Sequence, residues 1–371
     1  MARLGVSGAV IGGEYVAGDI SVADGVIDQI GLPAGRGGLA LPSFVDLQVN
    51  GFAGVDFATA TAEQWQEASR RLALSGVSDY VANIISSDDE TVATALQVAK
   101  DVQASPEPSH ARLVGVHLEG PFLSAPKAGI HPVGHLKQPN NTLLEQWLSL
   151  GPVAMVTVAP ELPGAVELID TLRSRGVVVS LGHSQASYQD AIAGFDHGAT
   201  TVTHLFNAMS GISAREPGLA GAALSRPDVW LQLILDLLHV DRVLVELVIQ
   251  FAAKRIVAVS DCLPMTGTEA TSMEFGGTTV QVSEGRAVNA DGVLAGSMLH
   301  MADALRHAVE CGMSVVDAVN ATSKNPLSLL NRDTDTLLAP GHPADLVVVS
   351  DTLEVENVFC SGVEVQLQEA R

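Results

Sequence analysis

The stretches Val114-Gly115-Val116-His117-Leu118-Glu119 and Val177-Val178-Val179-Ser180-Leu181-Gly182-His183 decide the fold, because each is an apolar run that ends in a possible metal ligand. Three more apolar runs end in a similar way, at His204, at the Asp236–His239 turn and at Asp261. Short, β-rich, almost wholly apolar runs predict parallel strands that are buried on both faces. Polar residues at the ends of such strands are typical of a (β/α) barrel, whose chemistry lies at the carboxyl ends of its strands.

Stretches with helical spacing or composition alternate with these strands along the chain. They are Ala62–Leu74, Glu90–Ala104, Leu143–Leu150, Ala165–Arg175, Tyr188–Phe195 and Met301–Cys311. Alternation over roughly 290 residues predicts a parallel sheet, and this length fits a closed eight-stranded barrel better than an open sheet. The predicted fold class is therefore α/β, with a (β/α)8 TIM-type barrel over residues 42–335.

Both ends of the chain have a different pattern, that of short strands joined by turns. Gly12-Gly13 and Asp24-Gly25 divide the first 41 residues, and strand-like runs such as 344–349 and 355–360 follow residue 336. Neither end is long enough to bury a core by itself. We therefore expect residues 1–41 and 336–371 to form one small β-sandwich domain. The alternative is that the two ends are separate decorations of the barrel.

Composition and charge exclude several classes of protein. With 47% hydrophobic and 17% charged residues in a chain of 371, the composition is that of a well-packed globular protein. A formal net charge of −22 and the lack of Lys/Arg clusters indicate that neither nucleic acid nor a membrane is a partner. Three widely spaced cysteines without a CxxC motif predict no disulfide framework, and no apolar run resembles a signal peptide or a membrane span. We expect a cytoplasmic protein.

Glu119, His183 and His204 offer one carboxylate and two imidazoles from three separate strand ends. This is a typical ligand set of catalytic zinc, which keeps one position open for water. Asp261 is the candidate base for that water, because a bound divalent ion lowers the pKa of water towards neutrality. A single histidine after a strand is more often a loop or capping residue, but three ligands at strand ends are hard to attribute to chance. His117 shares a strand face with Glu119 and is either a fourth ligand or a packed core histidine.

Six motifs occur in order along the chain: Leu118–Phe122, Gly182-His183-Ser184, Thr203–Met209, Arg215–Gly218, Leu238–Asp241 and Leu294–Ser297. Together they resemble those of the N-acetylglucosamine-6-phosphate deacetylases of the amidohydrolase superfamily. The resemblance extends from residue 42 to the Gly341–Val349 segment. It implies hydrolysis of the N-acetyl group of N-acetylglucosamine 6-phosphate to glucosamine 6-phosphate and acetate, in amino-sugar catabolism.

The resemblance also implies roles for individual residues. Glu119, His183 and His204 would hold one divalent ion, by default zinc, with iron, cobalt or manganese as alternatives. A metal-bound water would attack the acetamide, with Asp261 as general base and then general acid, while His131 would help the metal to polarise the carbonyl. The residues implied in substrate binding are Ile130, His131, Asn207, Ala208, Arg215, Asp236, Leu237, Leu238, His239, Leu294, Ala295 and Gly296.

Arg215 suits a phosphate, since a planar guanidinium can donate two parallel hydrogen bonds to it. Its alternative role is a surface ion pair with the neighbouring Glu216. A sugar phosphate is thus the small-molecule partner that the resemblance implies. The resemblance implies in addition that the chain forms a homodimer.

Two departures from the wider pattern bear on these expectations. Many amidohydrolases carry His-x-His at the end of the first strand, where this chain has Gln48 and Asn50. Neutral amides are poor transition-metal ligands beside imidazole, so we expect a single metal ion. Leu237 replaces a glycine that is usual in these deacetylases. A glycine there permits a backbone conformation or a close approach that we expect leucine not to allow, so this change bears on the contacts near His239 and on sugar specificity.

Three alternative functions stay open. A deacetylase of the galactosamine type would use the same chemistry, because a single hydroxyl contact can decide between sugars. A cyclic amidase or dihydroorotase-type hydrolase would need His-x-His and a carboxylated lysine on a middle strand, but the predicted strand 153–159 has no lysine. A non-catalytic interaction protein on an amidohydrolase scaffold would be expected to lose the ligands or the base first, and all four residues are present.

Overall fold

Eight parallel strands pair in sequence order in the computed structural model, which describes residues 2–366. They are β1 (Phe44–Val49), β2 (Val77–Ile85), β3 (Arg112–Glu119), β4 (Val153–Val158), β5 (Val178–Leu181), β6 (Thr201–Val202), β7 (Trp230–Ile234) and β8 (Ile256–Val259). A helix follows each strand: α1 (Ala62–Leu74), α2 (Asp89–Ala104), α3 (Asn141–Leu150), α4 (Ala165–Ser174), α5 (Tyr188–His197), α6 (Gly218–Ser225), α7 (Arg242–Ala252) and α8 (Met301–Glu310). The predicted (β/α)8 barrel is confirmed.

Local sequence explains where these elements begin and which faces they bury. Helix α1 starts after Thr61, whose hydroxyl accepts the N–H of Gln64 while the Gln64 side chain accepts the N–H of Thr61. Such a reciprocal cap satisfies two backbone donors that the first turn leaves free. Residues Trp65 and Leu72 then face the barrel, where every residue of β1, β5 and β8 is buried. The ends of the six predicted helices differ from those observed by at most two residues.

The barrel closes between β1 and β8 by side-chain hydrogen bonds and a single bridge, Val49 with Cys262, within the described chain. The carboxylate of Asp46 accepts the N–H of Ser260 at 3.1 Å and that of Gln48 at 3.3 Å. The Ser260 hydroxyl in turn donates to the Gln48 carbonyl at 3.3 Å. Between β1 and β8, hydrogen bonds to the buried Asp46 side chain therefore replace the regular main-chain hydrogen bonds that join the other barrel strands.

Two further sheets contain strands from the ends of the chain, and strands from both ends pair with one another in the six-stranded sheet. The six-stranded sheet has the order Val363–Val365, Val355–Cys360, Leu346–Val349, Leu39–Pro42, Gly8–Ile11, Glu14–Ala17, and the three-stranded sheet has the order Ala2–Arg3, Asp19–Ala23, Val26–Leu32. Ile20, Ile27 and Leu346 belong to an apolar cluster between them. We propose that these sheets are the predicted small domain of residues 1–41 and 336–371, of which Met1 and Leu367–Arg371 lie outside the described residues.

A four-stranded antiparallel sheet between β8 and α8 was not predicted. Its strands are Ser272–Phe275, Thr278–Ser283, Arg286–Asn289 and Leu294–Gly296. Its apolar residues pack with Ile85 at the end of β2, with Ile130 and with Leu263 beyond β8. The last of its strands therefore reaches the mouth of the barrel. Within residues 2–366, no helix is long and apolar enough to cross a membrane.

Replacing Asp46 by asparagine should alter how stability depends on pH. Burial raises the pKa of Asp46 from 3.8 to about 6, so its favourable contribution is complete below pH 3.8 and is lost as pH rises through 6. We expect the wild type to lose about 2 kcal/mol from this group between pH 4 and pH 8, and Asp46→Asn to lack that loss. Urea denaturation of both proteins at pH 4 and pH 8 measures the difference.

Asp46→Ala is the control for this prediction, because alanine removes the acceptor of the Ser260 N–H as well as the charge. It should be less stable than the wild type at pH 5, where the loss of an acceptor costs about 1–3 kcal/mol. Identical pH profiles for the wild type and Asp46→Asn would show that Asp46 does not titrate in this range.

Candidate active site

The predicted ligands and base lie together at the carboxyl ends of the barrel strands. Glu119 is the last residue of β3, whereas His183, His204 and Asp261 each lie two residues beyond β5, β6 and β8. These three have left-handed backbones, with φ of 47°, 33° and 50°. A non-glycine residue in this region costs about 1–3 kcal/mol, and such strain concentrates at functional sites.

Glu119, His183 and His204 bring three possible ligand atoms to one point. The Oε1 atom of Glu119 lies 3.0 Å from the Nε2 atom of each histidine, and the two Nε2 atoms are 3.1 Å apart. All three side chains are buried, and their ligand atoms lie within 4.8 Å of one another. The three residues predicted from the sequence thus form a candidate metal site.

The protonation states of these three side chains are those that binding of a metal ion requires. The Nδ1 atom of His183 lies 2.8 Å from the carbonyl of Lys127 and donates to it, which leaves the lone pair of Nε2 facing the cluster. Burial lowers the pKa of His204, so its imidazole is neutral as a ligand must be. Burial opposes the ionisation of Glu119, but the imidazoles of His183 and His204 that face it lower its pKa well below the ordinary value.

Three amides connect the carboxylate of Glu119 to that of Asp261. The Nε2 atom of Gln48 lies 3.2 Å from Glu119 Oε2 and 3.2 Å from Asp261 Oδ1. Asn50 donates to the same Asp261 oxygen at 2.9 Å, and Asn83 donates to Glu119 at 2.6 Å and to Asn50 at 2.8 Å. Asn83 was missed in the sequence, although it is a polar residue within the apolar run of β2. Sequence alone did not show that this polar residue faces the site.

Hydrogen bonds hold Asp261 through one of its two carboxylate oxygens, and its surroundings oppose the ionisation of the carboxyl group. Both amide donors, Gln48 and Asn50, point at Oδ1. Burial raises the pKa of Asp261 well above its ordinary value, and the charge of Glu119 raises it further. A carboxylate with a raised pKa is a better proton acceptor than an exposed aspartate, and this property suits a general base.

His131 presents an N–H group to the same centre. Its Nδ1 atom accepts the backbone N–H of Ser86 at 3.2 Å, so the neutral ring carries its proton on Nε2. That nitrogen lies 3.9 Å from Glu119 Oε2. Burial lowers the pKa of His131 to about 3, so the ring is a neutral hydrogen-bond donor at physiological pH. Ser86 is a second residue that the sequence did not reveal.

A cavity of about 380 Å³ opens above these groups. Its lining includes the three ligands and Asp261 together with eight of the predicted substrate residues: Ile130, His131, Asn207, Ala208, His239, Leu294, Ala295 and Gly296. The last three belong to the unpredicted four-stranded sheet. The structure therefore brings most of the predicted site residues to one cavity.

Four predicted substrate residues do not line this cavity: Arg215, Asp236, Leu237 and Leu238. Arg215 is exposed on the loop before α6, and among the described residues it pairs with neither Glu216 nor any other carboxylate. Asp236 instead supports His239, because its Oδ2 atom lies 2.6 Å from His239 Nδ1 while Oδ1 accepts the N–H groups of Leu238 and His239. Burial opposes ionisation of Asp236, but the hydrogen bond with His239 lowers its pKa.

His117 is not part of the candidate metal site. Its Nε2 atom lies 2.7 Å from the hydroxyl of Thr157. Thr157 is hydrogen-bonded to the hydroxyl of Thr203, which is hydrogen-bonded to that of Ser180 inside the barrel. Burial lowers its pKa to about 4, so it is neutral. Of the two roles open to it, the structure favours that of a packed core histidine.

A (β/α)8 barrel with two histidines and a glutamate at its strand ends has the architecture of a metal-dependent hydrolase. Known proteins agree with this class. The profile described as "Amidohydrolase family" matches residues 39–365. The chain belongs to the amidohydrolase family, so the prediction of a hydrolase is confirmed.

Individual relatives are similar over most of their length. An N-acetylglucosamine-6-phosphate deacetylase of Bacillus subtilis is 34% identical over 87% of this chain and 83% of its own. An N-acetylgalactosamine-6-phosphate deacetylase of Escherichia coli is 31% identical over 92% of this chain and 93% of its own. The structure of a mutant N-acetyl-D-glucosamine-6-phosphate deacetylase from Mycobacterium smegmatis, in complex with N-acetyl-D-glucosamine-6-phosphate, matches with a TM-score of 0.91 at 30% identity, over 98% of both chains.

Substitution of His183 by asparagine should reduce divalent metal binding at least tenfold, because it removes one of three ligand atoms. His117→Asn is the matched control, since it changes another buried barrel histidine that lies outside the cluster. Metal content after dialysis, measured on the folded fraction of each variant, separates the two sites. Equal metal loss in both variants would contradict the assignment of the cluster.

Proposed function

We propose that this protein hydrolyses the N-acetyl group of N-acetylglucosamine 6-phosphate and releases glucosamine 6-phosphate and acetate. The observation that carries this proposal is the cavity that joins the Glu119–His183–His204 cluster, Asp261 and His131. The similarity of most of the chain to deacetylases of N-acetylhexosamine 6-phosphates supports the same substrate class.

Glu119, His183 and His204 would hold one divalent ion, most simply zinc, with iron, cobalt or manganese as alternatives. The ion would supply Lewis acidity, which lowers the pKa of water and polarises the amide carbonyl. The position where many amidohydrolases bind a second ion is occupied by the amides of Gln48 and Asn50, which donate N–H groups to Asp261. This supports a single ion for each chain, and two tightly bound ions in a metal analysis would contradict it.

Asp261 carries the proton in this mechanism. It accepts a proton from the attacking water and then returns it to the nitrogen of the departing amine, so that the amide C–N bond breaks. Its raised pKa favours both steps, since the group accepts a proton readily and holds it until the amine leaves. The amides that bind its Oδ1 atom leave Oδ2 for this exchange.

His131 stabilises the charge that develops on the carbonyl oxygen. Because Ser86 donates to Nδ1, the neutral ring can only donate through Nε2, which faces the cluster. A fixed neutral donor in a buried site stabilises an oxyanion more than the ground-state carbonyl. Ile130, Asn207, Ala208, His239 and Leu294–Gly296 would enclose the sugar phosphate, with Asp236 orienting His239 through the Leu237-Leu238 turn.

Two alternatives from the sequence are less well supported. Strand β4 carries no lysine to bridge two ions, as a dihydroorotase-type enzyme would need. A non-catalytic role would not require Asp261 to be held by two amides beside the ligand cluster. The homodimer, the cytoplasmic location and a phosphate contact by Arg215 stay predictions.

Asp261→Asn tests the mechanism. Asparagine keeps the shape of the side chain but cannot take up a proton, so we expect turnover to fall by about 10²–10⁴. Metal content and binding of N-acetylglucosamine 6-phosphate should be preserved. Acetate release measures turnover, and calorimetric titration measures binding. Near wild-type turnover in this variant would exclude Asp261 as the proton carrier.

Acetate release from the 6-phosphates of N-acetylglucosamine, N-acetylgalactosamine and N-acetylmannosamine tests the substrate. We expect kcat/KM for the glucosamine compound to exceed the others by about tenfold or more, as a hydrogen-bonded hydroxyl permits. The galactosamine compound is the second candidate, because the relative from Escherichia coli covers 92% of this chain. A higher kcat/KM for that compound would replace the first assignment, and no acetate from any of them would contradict the proposed function.

A further inference from the structure

Asn83 lies on β2, between the strand that ends in Glu119 and the strand that leads to Asn50. Strand β2 pairs with β1 on one side and with β3 on the other, and Asn83 is two residues before its last residue. Neighbouring strands of a sheet are only about 5 Å apart. A side chain that points into the barrel near the end of β2 can therefore contact groups from both neighbours at once.

The side chain of Asn83 donates two hydrogen bonds. Its Nδ2 atom lies 2.6 Å from Glu119 Oε2 and 2.8 Å from Asn50 Oδ1. A carboxylate oxygen can only accept, so the group of Asn83 that faces Glu119 is the NH2 and not the amide oxygen. Asn83 is buried, and no residue within 2–366 donates to its Oδ1 atom. The contacts of this side chain with the described protein are thus donor contacts only.

The bond to Glu119 fixes which of its two oxygens faces the candidate metal site. Oε1 lies 3.0 Å from the Nε2 atoms of His183 and His204. Oε2 instead accepts from Asn83 at 2.6 Å and from Gln48 at 3.2 Å. Glu119 therefore presents Oε1 to an ion, while amides hold its other oxygen. Partners of this kind orient a ligating carboxylate and strengthen metal binding.

The second bond fixes the orientation of the Asn50 amide. Because Asn83 donates to Asn50 Oδ1, the NH2 group of Asn50 is turned toward Asp261, and its Nδ2 atom lies 2.9 Å from Asp261 Oδ1. The oxygen and the NH2 group of an amide are similar in size, so partners decide which of them faces a neighbour. Without Asn83, the oxygen of Asn50 is free to turn toward Asp261, and Asp261 then loses a donor.

We propose that Asn83 is a positioning residue that acts on the metal ligand and on the base by two separate hydrogen bonds. Through Glu119 it keeps Oε1 directed at the ion. Through Asn50 it keeps Oδ1 of Asp261 bonded, so that Oδ2 exchanges the proton. Asn83 does not line the cavity, so it acts through these neighbours and not on the substrate. The part that concerns Asp261 rests on the proposed function, whereas metal binding is measured without substrate.

Asn83→Leu tests the inference, because leucine is similar in size and donates no hydrogen bond. We expect the dissociation constant for zinc, measured by competition with a chelator, to rise about tenfold to hundredfold. The visible absorption spectrum of the cobalt-loaded protein should change, because Glu119 is no longer held. At saturating zinc, kcat for N-acetylglucosamine 6-phosphate should fall about tenfold while KM stays within about twofold of the wild type.

Asn325→Leu is the matched control. Asn325 is also buried, and its Nδ2 atom also donates twice, to the carbonyls of Ile256 at 2.7 Å and Lys254 at 3.4 Å. Ile256 begins β8, so these bonds lie at the end of the barrel away from the site. Asn325→Leu should lower stability in urea but leave the zinc dissociation constant, the cobalt spectrum and kcat unchanged.

A double-mutant cycle with Asn50→Ala separates the two hydrogen bonds. Because Asn83 acts on Asp261 through Asn50, Asn83→Leu should cause no further loss of kcat in the Asn50→Ala background. Its effect on zinc affinity should persist in that background, since the bond to Glu119 does not involve Asn50. Asn83→Ala, which cannot overpack the barrel, takes the place of Asn83→Leu if leucine prevents folding.

An unchanged zinc dissociation constant together with an unchanged kcat in Asn83→Leu would overturn the inference. Losses no larger than those of Asn325→Leu would do the same, since they would indicate a general effect on stability. A loss of kcat that adds fully to that of Asn50→Ala would exclude the action through Asn50. In contrast, a wild type that binds zinc but releases no acetate from any N-acetylhexosamine 6-phosphate would contradict the proposed function, and the zinc measurements would still decide the part that concerns Glu119.

Discussion

Repulsion between two buried carboxylates is the constraint on which the rest of the site depends. Glu119 and Asp261 both reach the mouth of the barrel, where burial raises the pKa of Asp261 and the charge of Glu119 raises it further. A buried charge must be paired or hydrogen-bonded, since leaving it alone costs several kcal/mol. Both carboxylates receive neutral amide donors, but Glu119 also faces two imidazoles that can share a cation with it. The two carboxylates thus acquire different chemistry, one as a ligand and the other as a proton carrier.

The strand ends could be predicted because apolar runs and barrel geometry leave few alternatives. Helices α6 and α7 could not, for different reasons. Helix α6 consists of small and apolar residues on all sides, so it lacks the polar face that reveals a helix. Helix α7 is rich in β-branched and aliphatic residues, which favour a strand, although its polar residues Arg242, Glu246 and Gln250 recur with helical spacing. The Asp241 side chain caps its first turn at the N–H of Val243, and tertiary packing and such a cap can override the propensity of single residues.

The candidate site also contains residues that could be predicted from the sequence and residues that could not. Residues at strand ends, such as Glu119 and His204, were identified because topology places them together. Asn83 and Ser86 were missed because their roles depend on which buried polar atom faces which neighbour, and this is a property of side-chain packing. The contact of His183 Nδ1 with the main-chain carbonyl of Lys127 was missed because a main-chain contact leaves no sign in the side-chain pattern. Sequence could identify the ligands but not the groups that orient them.

Leu237 shows how a sequence departure can leave the local geometry in place. A glycine at this position would adopt a left-handed backbone freely, and Leu237 adopts the same region with φ of 61° at a cost of about 1–2 kcal/mol. The expectation that leucine would not take this conformation was therefore wrong. Asp236 holds the turn by accepting three hydrogen bonds, from the N–H groups of Leu238 and His239 and from His239 Nδ1. Because those bonds offset the strain, His239 still faces the cavity, and the leucine side chain, partly buried against the barrel core, adds packing that a glycine would lack.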